Sequence, residues 1–270
     1  DEELSKALFV QKMALPATHV IQVNPRSQPL QNREFRRALM YGVDRPTILK
    51  ETILEGAPGD LARLVTGPFP SQSYANSALA VQREYDVVSA VSLSLAARNQ
   101  MGGTLPTLRM AVVEDPLVQA AARRIVEGWK LFGIDVTIIP PPTRLVPEDR
   151  TAVEWDLLYR TVQMVEPVVD LWPFLTLTGR AQVSDLDPFP DWLRQEIIAV
   201  DLSGDWGQAV RATARLHQHL WAEVLLIPLW EVDEYLVYRK TIRGVPVAPV
   251  GVYDGVDGWI VEAWFPGEEP

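Results

Sequence analysis

Three sets of side chains in this 270-residue sequence could do chemistry: its histidines, a carboxylate pair and its tryptophans. His217 and His219 form a His-Gln-His step in a helical stretch. Residues two apart on a helix point about 200° away from each other, so the two rings cannot close on one metal as an i, i+4 pair can. His19 stands alone in a strand-like run. The chain has no Cys, which removes thiol catalysis, Cys-ligated zinc and disulfides. Neither a Gly-x-Ser-x-Gly elbow nor a phosphate-binding glycine loop occurs. Glu166 with Asp170 could in principle act on a sugar as a carboxylate-pair glycoside hydrolase, but any acidic chain offers such pairs. Binding chemistry is better provided for. Of the nine Trp, Trp172, Trp192, Trp206 and Trp230 flank loops. An indole stacks on a sugar face, a peptide side chain or a cation, although Trp is more commonly large, partly buried core.

Lys and Arg number 25 against 35 Asp and Glu, a net charge of −10, which repels phosphate backbones and argues against a nucleic-acid partner. With 47% hydrophobic and 22% charged residues the chain is a folded one. No apolar run approaches the roughly 18 to 20 residues of a membrane span. The first residue is Asp1 with no leader before it, so a targeting segment is expected to have been removed or to lie upstream.

The elements that must position these residues alternate between helix and strand, which predicts a mixed α/β fold. Thr18–Val23 reads as a strand stopped by Asn24-Pro25. Phe35, Leu39 and Val43 recur at fours and predict a helix over 33–41, after which Asp44 caps a second helix that ends at Gly56. Gly67–Tyr74 cannot form a helix and reads as an ordered surface loop carrying Phe69 and Tyr74. A helix capped by Asp86 follows, with Val87, Ala90, Val91, Leu93 and Leu95 expected mostly on its buried side. Strand 107–113, helix 116–132 and strand 134–139 make a βαβ unit with parallel strands. Further strands are expected at 155–161, 224–230 and 235–238, and helices at 191–200 and 207–223.

Leu30–Leu49, with its Arg-Arg-Ala-Leu-Met-Tyr-Gly-Val-Asp-Arg core, resembles the Arg-x-Ala-Leu-x-Tyr-x-x-Asp-Arg signature of the family 5 extracellular solute-binding proteins, the dipeptide, oligopeptide and nickel binding proteins of ABC importers. The Tyr85-Asp86 helix start, the Phe132-Gly133-Ile134-Asp135-Val136 turn and the closing Ile242-Arg243-Gly244-Val245 agree with it in order. Arg36, Arg37, Tyr41, Asp44 and Arg45 read as a structural helix corner.

The resemblance implies a periplasmic-binding-protein-like class II lobe. Residues 1–24 would be a hinge strand and remnant of a first lobe, 25–225 the second lobe, and 226–270 the return strand and closing segment of the first, with the strand Ile260–Phe265 packed. Because the hinge-like strand comes so early, the chain is expected to be a C-terminal fragment; a natural short homologue is the alternative, and half a clamp cannot enclose a ligand. The implied function is capture of a peptide or similar small nitrogenous solute for ABC permease subunits, outside the cytoplasm in the periplasm, extracellularly or on a lipid anchor. The alternative on the same fold is the ligand-sensing domain of a transcriptional regulator. No cofactor or metal is expected, ATP belonging to the transporter, and a monomer is expected. In peptide-binding members an acidic residue in the loop after the strand corresponding to 155–161 receives the peptide amino terminus. Val165-Glu166-Pro167-Val168-Val169-Asp170-Leu171-Trp172 stands there. Glu166 and Asp170 are thus the candidate ammonium partners, with Trp172, Phe69 and Tyr74 as candidate aromatic walls.

Overall fold

The computed structural model describes residues 7–146, 153–178 and 181–262. These fall into two units, one spanning 18–231 and the other made of the segments up to 17 and from 232 onward.

In the larger unit, β2 (Ala17–Val23) leads to a helix corner. Asn32 accepts from Phe35 N at 2.9 Å and starts α1 (Arg33–Tyr41). Gly42 ends it where space is tight, since a Cβ there would lie 3.0 Å from both Trp129 and Phe132. Asp44 then accepts from Thr47 N at 3.2 Å and starts α2 (Arg45–Ile48), which continues through one wide turn over Leu49–Ile53. The arginines of the signature are spent on backbone. Arg36 donates to Glu223 O at 2.9 Å and Leu30 O at 2.8 Å. Arg45, buried, donates to Val65 O at 3.2 Å, Pro228 O at 3.1 Å and Arg83 O. Burial, and after it the nearby Arg83 charge, lowers the Arg45 pKa to about 10.

After the short strand β3 (Ala62–Leu64) comes α3 (Val87–Gln100), capped by Asp86 as expected. Ala90 is buried as expected, but its inward partners are Ser94 and Ala97, while Val87, Val91 and Leu95 are exposed. Small residues at this spacing let α3 approach α1 closely, and Ser94 Oγ reaches Phe132 O at 3.0 Å. The expected βαβ unit is present as β4 (Leu108–Val112), α4 (Pro116–Lys130) and β5 (Val136–Ile139), with Leu108 beside Val136 in parallel register.

Strand β6 (Leu157–Val162) pairs parallel with β4 and antiparallel with β2. With β7 (Leu226–Val232) the strands form one mixed sheet in the order β3-β7-β2-β6-β4-β5. Helices α5 (Pro167–Thr176), α6 (Asp191–Asp201) and α7 (Trp206–Glu223) share a core with Val20 and Leu226 of the central strands. Helix α5 stands where a loop was expected. Pro167 occupies its first position, where no intrahelical N–H is needed, and Pro173 lies inside it. Its last carbonyls are capped from the sheet, Gln22 donating to Phe174 O at 2.7 Å and Arg160 at 3.3 Å.

The smaller unit pairs β1 (Leu8–Lys12) antiparallel with β8 (Tyr235–Arg239), and β9 (Ile242–Arg243) with β10 (Ile260–Val261). Lys12 forms an ion pair with Asp233, and the Phe9 and Tyr238 rings lie 5.7 Å apart. Ile260 and Val261 are exposed rather than packed, and 263–265 of the expected closing strand lie outside the described residues.

Candidate binding site

The loop over 67–74 is nailed down from two sides. Glu231 ends the apolar run of β7 with its side chain fully buried, which requires partners. Ser71 N donates to its Oε2 at 2.7 Å, and Ser71 Oγ and Arg63 Nε donate to Oε1. On the other side Phe69, 0% exposed, meets the edge of His217 at 5.4 Å. Gly67 leaves room for that ring, since a Cβ would come within 2.5 Å of His217 Nε2. His217 Nδ1 accepts from Ser77 N at 2.9 Å, and burial lowers its pKa.

So fixed, the loop delivers Tyr74 to the start of α5. Its hydroxyl donates to Glu166 Oε1, and burial followed by this bond raises the Tyr74 pKa. Glu166 is the helix cap, accepting from Val168 N at 3.3 Å, and its own N–H donates to Asp170 Oδ2 at 2.8 Å. The two carboxylates therefore close a reciprocal cap around the first turn of α5. Each accepts from backbone, Glu166 through Oε1 and Asp170 through Oδ2, and both side chains are half-buried. The Tyr74 ring also lies against that of Trp206, centroids 4.4 Å apart and tilted by 55°, and Trp206 is 61% exposed at the first position of α7, which Asp205 caps through Gln208 N at 2.8 Å. Val165 and Val169, on either side of Glu166, are exposed.

Of the residues singled out from sequence, the structure brings Tyr74, Glu166 and Asp170 together. It places Phe69 and Trp172 in the hydrophobic core instead, Trp172 at 6% exposure. The expected surface loop is thus a surface loop only in part, because Phe69 supplies apolar area that the α7 side of the core needs. The aromatic that faces outward beside the carboxylates is Trp206. Its place after Asp205, at a helix start, could have marked it as half-exposed. Glu231 and Arg63 were missed as well, although a lone carboxylate ending the run Leu225–Trp230 was the available signal. A patch of two carboxylates flanked by a tyrosine, an exposed indole and two valines can hold a cationic, partly apolar group. Among the described residues no cluster of His, Asp and Glu could hold a metal ion. Nor is any described helix long and apolar enough to cross a membrane.

The sequence profile of the bacterial extracellular solute-binding proteins, family 5 middle, matches residues 2–181. No curated protein matches the chain. Among solved structures, the oligopeptide-binding protein AppA from Bacillus subtilis, in complex with a nonapeptide, superposes with a TM-score of 0.75 at 12% identity, over 95% of this chain and 53% of that one. DppA from Helicobacter pylori in complex with the peptide STSA gives 0.72 at 17%, over 97% and 51%. NikZ from Campylobacter jejuni in complex with Ni(L-His) gives 0.71 at 17%, over 94% and 53%. The chain thus spans about half the length of these structures, and the likeness shows a shared fold.

Proposed function

Since the chain belongs to the bacterial extracellular solute-binding proteins of family 5, we propose that it is part of the solute-capturing component of an ABC importer, taking up a peptide or similar small nitrogenous solute. The observation that carries the ligand class is the Tyr74–Glu166–Asp170–Trp206 patch. Its carboxylates suit an ammonium group, and its indole and valines suit the apolar part of the same solute. The peptide complexes among the similar structures support this class, and the nickel complex names the competitor.

On this reading residues 25–225 are the second lobe of a two-lobed clamp, and β2 with β7 are hinge strands. Hinge closure over the solute excludes water and strengthens each charged contact at the patch. The partners are the solute and the permease subunits, and the protein acts outside the cytoplasmic membrane. A thermal-shift panel on the full-length protein, covering peptides, sugars and nickel, tests the reading. A peptide present at about 100 times its dissociation constant raises stability by roughly 2.7 kcal/mol, a shift of several degrees. A shift with nickel or sugar and none with peptides refutes the ligand class.

A further inference from the structure

One face of α1 concentrates positive charge in a chain whose net charge is −10. Arg33, Arg37 and Tyr41 follow one another at four-residue spacing, so they share that face. Like charges at this spacing destabilise a helix by roughly 0.2–0.5 kcal/mol, and nothing in the fold relieves them fully. Arg33 is paired with Glu223 at 2.9 Å, and the same carboxylate also serves Arg36 at 3.8 Å. Arg37 has no ion pair or hydrogen bond among the described residues, and its buried Nε lacks an acceptor. Arg83 comes in from the segment that precedes α3. Its guanidinium lies 4.5 Å from the centroid of the Trp221 ring and 6.0 Å from that of Tyr41, and its buried Nη1 also lacks an acceptor. Burial lowers the Arg83 pKa, and among its neighbours Arg37 and Arg33 push the same way against Tyr41 and Glu223.

We infer that Arg33, Arg37 and Arg83 form a binding site for a small polyvalent oxyanion, of the phosphate or polycarboxylate class. Guanidinium donors fixed on aromatic faces and on a helix are arranged for planar, multi-point recognition of negative oxygens. An anion seated there cancels the repulsion along α1 that Glu223 offsets only in part. The site involves none of the residues of the solute patch, so it stands or falls apart from the proposed transport function.

Isothermal titration with inorganic phosphate and with citrate, against sodium chloride at matched ionic strength, tests it. At least one probe is expected to bind with a dissociation constant below about 1 mM, and Arg37→Gln and Arg83→Gln together weaken it about tenfold or more. Which probe wins separates a phosphate from a carboxylate ligand. Because the Arg37 side chain makes no hydrogen bond among the described residues, Arg37→Gln alone keeps the probe-free melting temperature and still loses affinity. In a spectrum of guanidinium N–H groups the Arg37 Nε resonance moves on adding the probe. No binding of either probe, a response equalled by chloride, or unchanged affinity in the double variant overturns the inference.

Discussion

The corner between α1 and α2 and the start of α5 use charged side chains in opposite ways. At the corner, Arg45 is buried and its side chain donates to backbone carbonyls of three distant segments. At the start of α5, Glu166 and Asp170 also bond to backbone, but they lie at the surface beside an exposed indole. Residue type does not separate the two, since both are charged groups next to a helix cap. What separates them is exposure: a buried charge bonded to the backbone of three segments holds the fold, and a half-exposed one beside an indole can meet a ligand.

Substitution should expose that difference most clearly at the corner. Arg45→Ala strands three buried carbonyls and opens a cavity, so a loss of more than about 3 kcal/mol is expected in chemical denaturation. A loss below about 1 kcal/mol would place Arg45 in the same class as the surface patch.

Acid should produce the next largest effect, again from groups committed to the interior. His19, buried with Tyr159 Oη at 3.1 Å and the Trp230 ring at 5.8 Å, has its pKa lowered from 6.5 to about 4 by desolvation, against a smaller opposing pull from Asp115. The unfolded chain therefore takes up the proton first. The stability from this group is complete above pH 6.5 and is lost as pH falls towards 4, by roughly 2–3 kcal/mol, with His217 acting in the same direction. His19→Gln should flatten that part of the stability-versus-pH curve, and an unchanged slope would mean that His19 is accessible to protons in the folded state.

Gly67→Ala drives a methyl group against His217 and should cost roughly 1–3 kcal/mol, measured by thermal unfolding. It also loosens the loop that delivers Tyr74, so solute affinity falls with it. Trp206→Ala sharpens the contrast from the other side. Its effect on stability is expected to stay within about 1 kcal/mol, because the ring is mostly in water, while solute affinity drops.

These four sites also show what the sequence could reveal. The corner was legible because Asn32, Asp44 and the apolar fours of α1 are local signals that agree with one another. The βαβ unit was legible for the same reason, with Asp115 and Pro116 marking the start of its helix. Helix α5 was not, because Pro167 and Pro173 both argue against a helix unless the first is known to sit at its start. The inward face of α3 was not legible either. Hydrophobicity points to Val91 and Leu95 beside Ala90, and only the close approach of α1 selects Ser94 and Ala97 in their place. The same limit governs the site. Which of Trp172 and Trp206 is core depends on how α5 and α7 pack on the sheet, a long-range matter that neither local sequence records.

The affinity of the full-length protein for a peptide found in the thermal-shift panel, measured with Glu166→Gln and Asp170→Asn combined, tests the binding patch most directly. A weakening of more than about tenfold, with the melting temperature of the free protein lowered only by the loss of the α5 cap, is the expected result. Unchanged affinity would show that the two carboxylates only cap α5, and that the solute binds elsewhere.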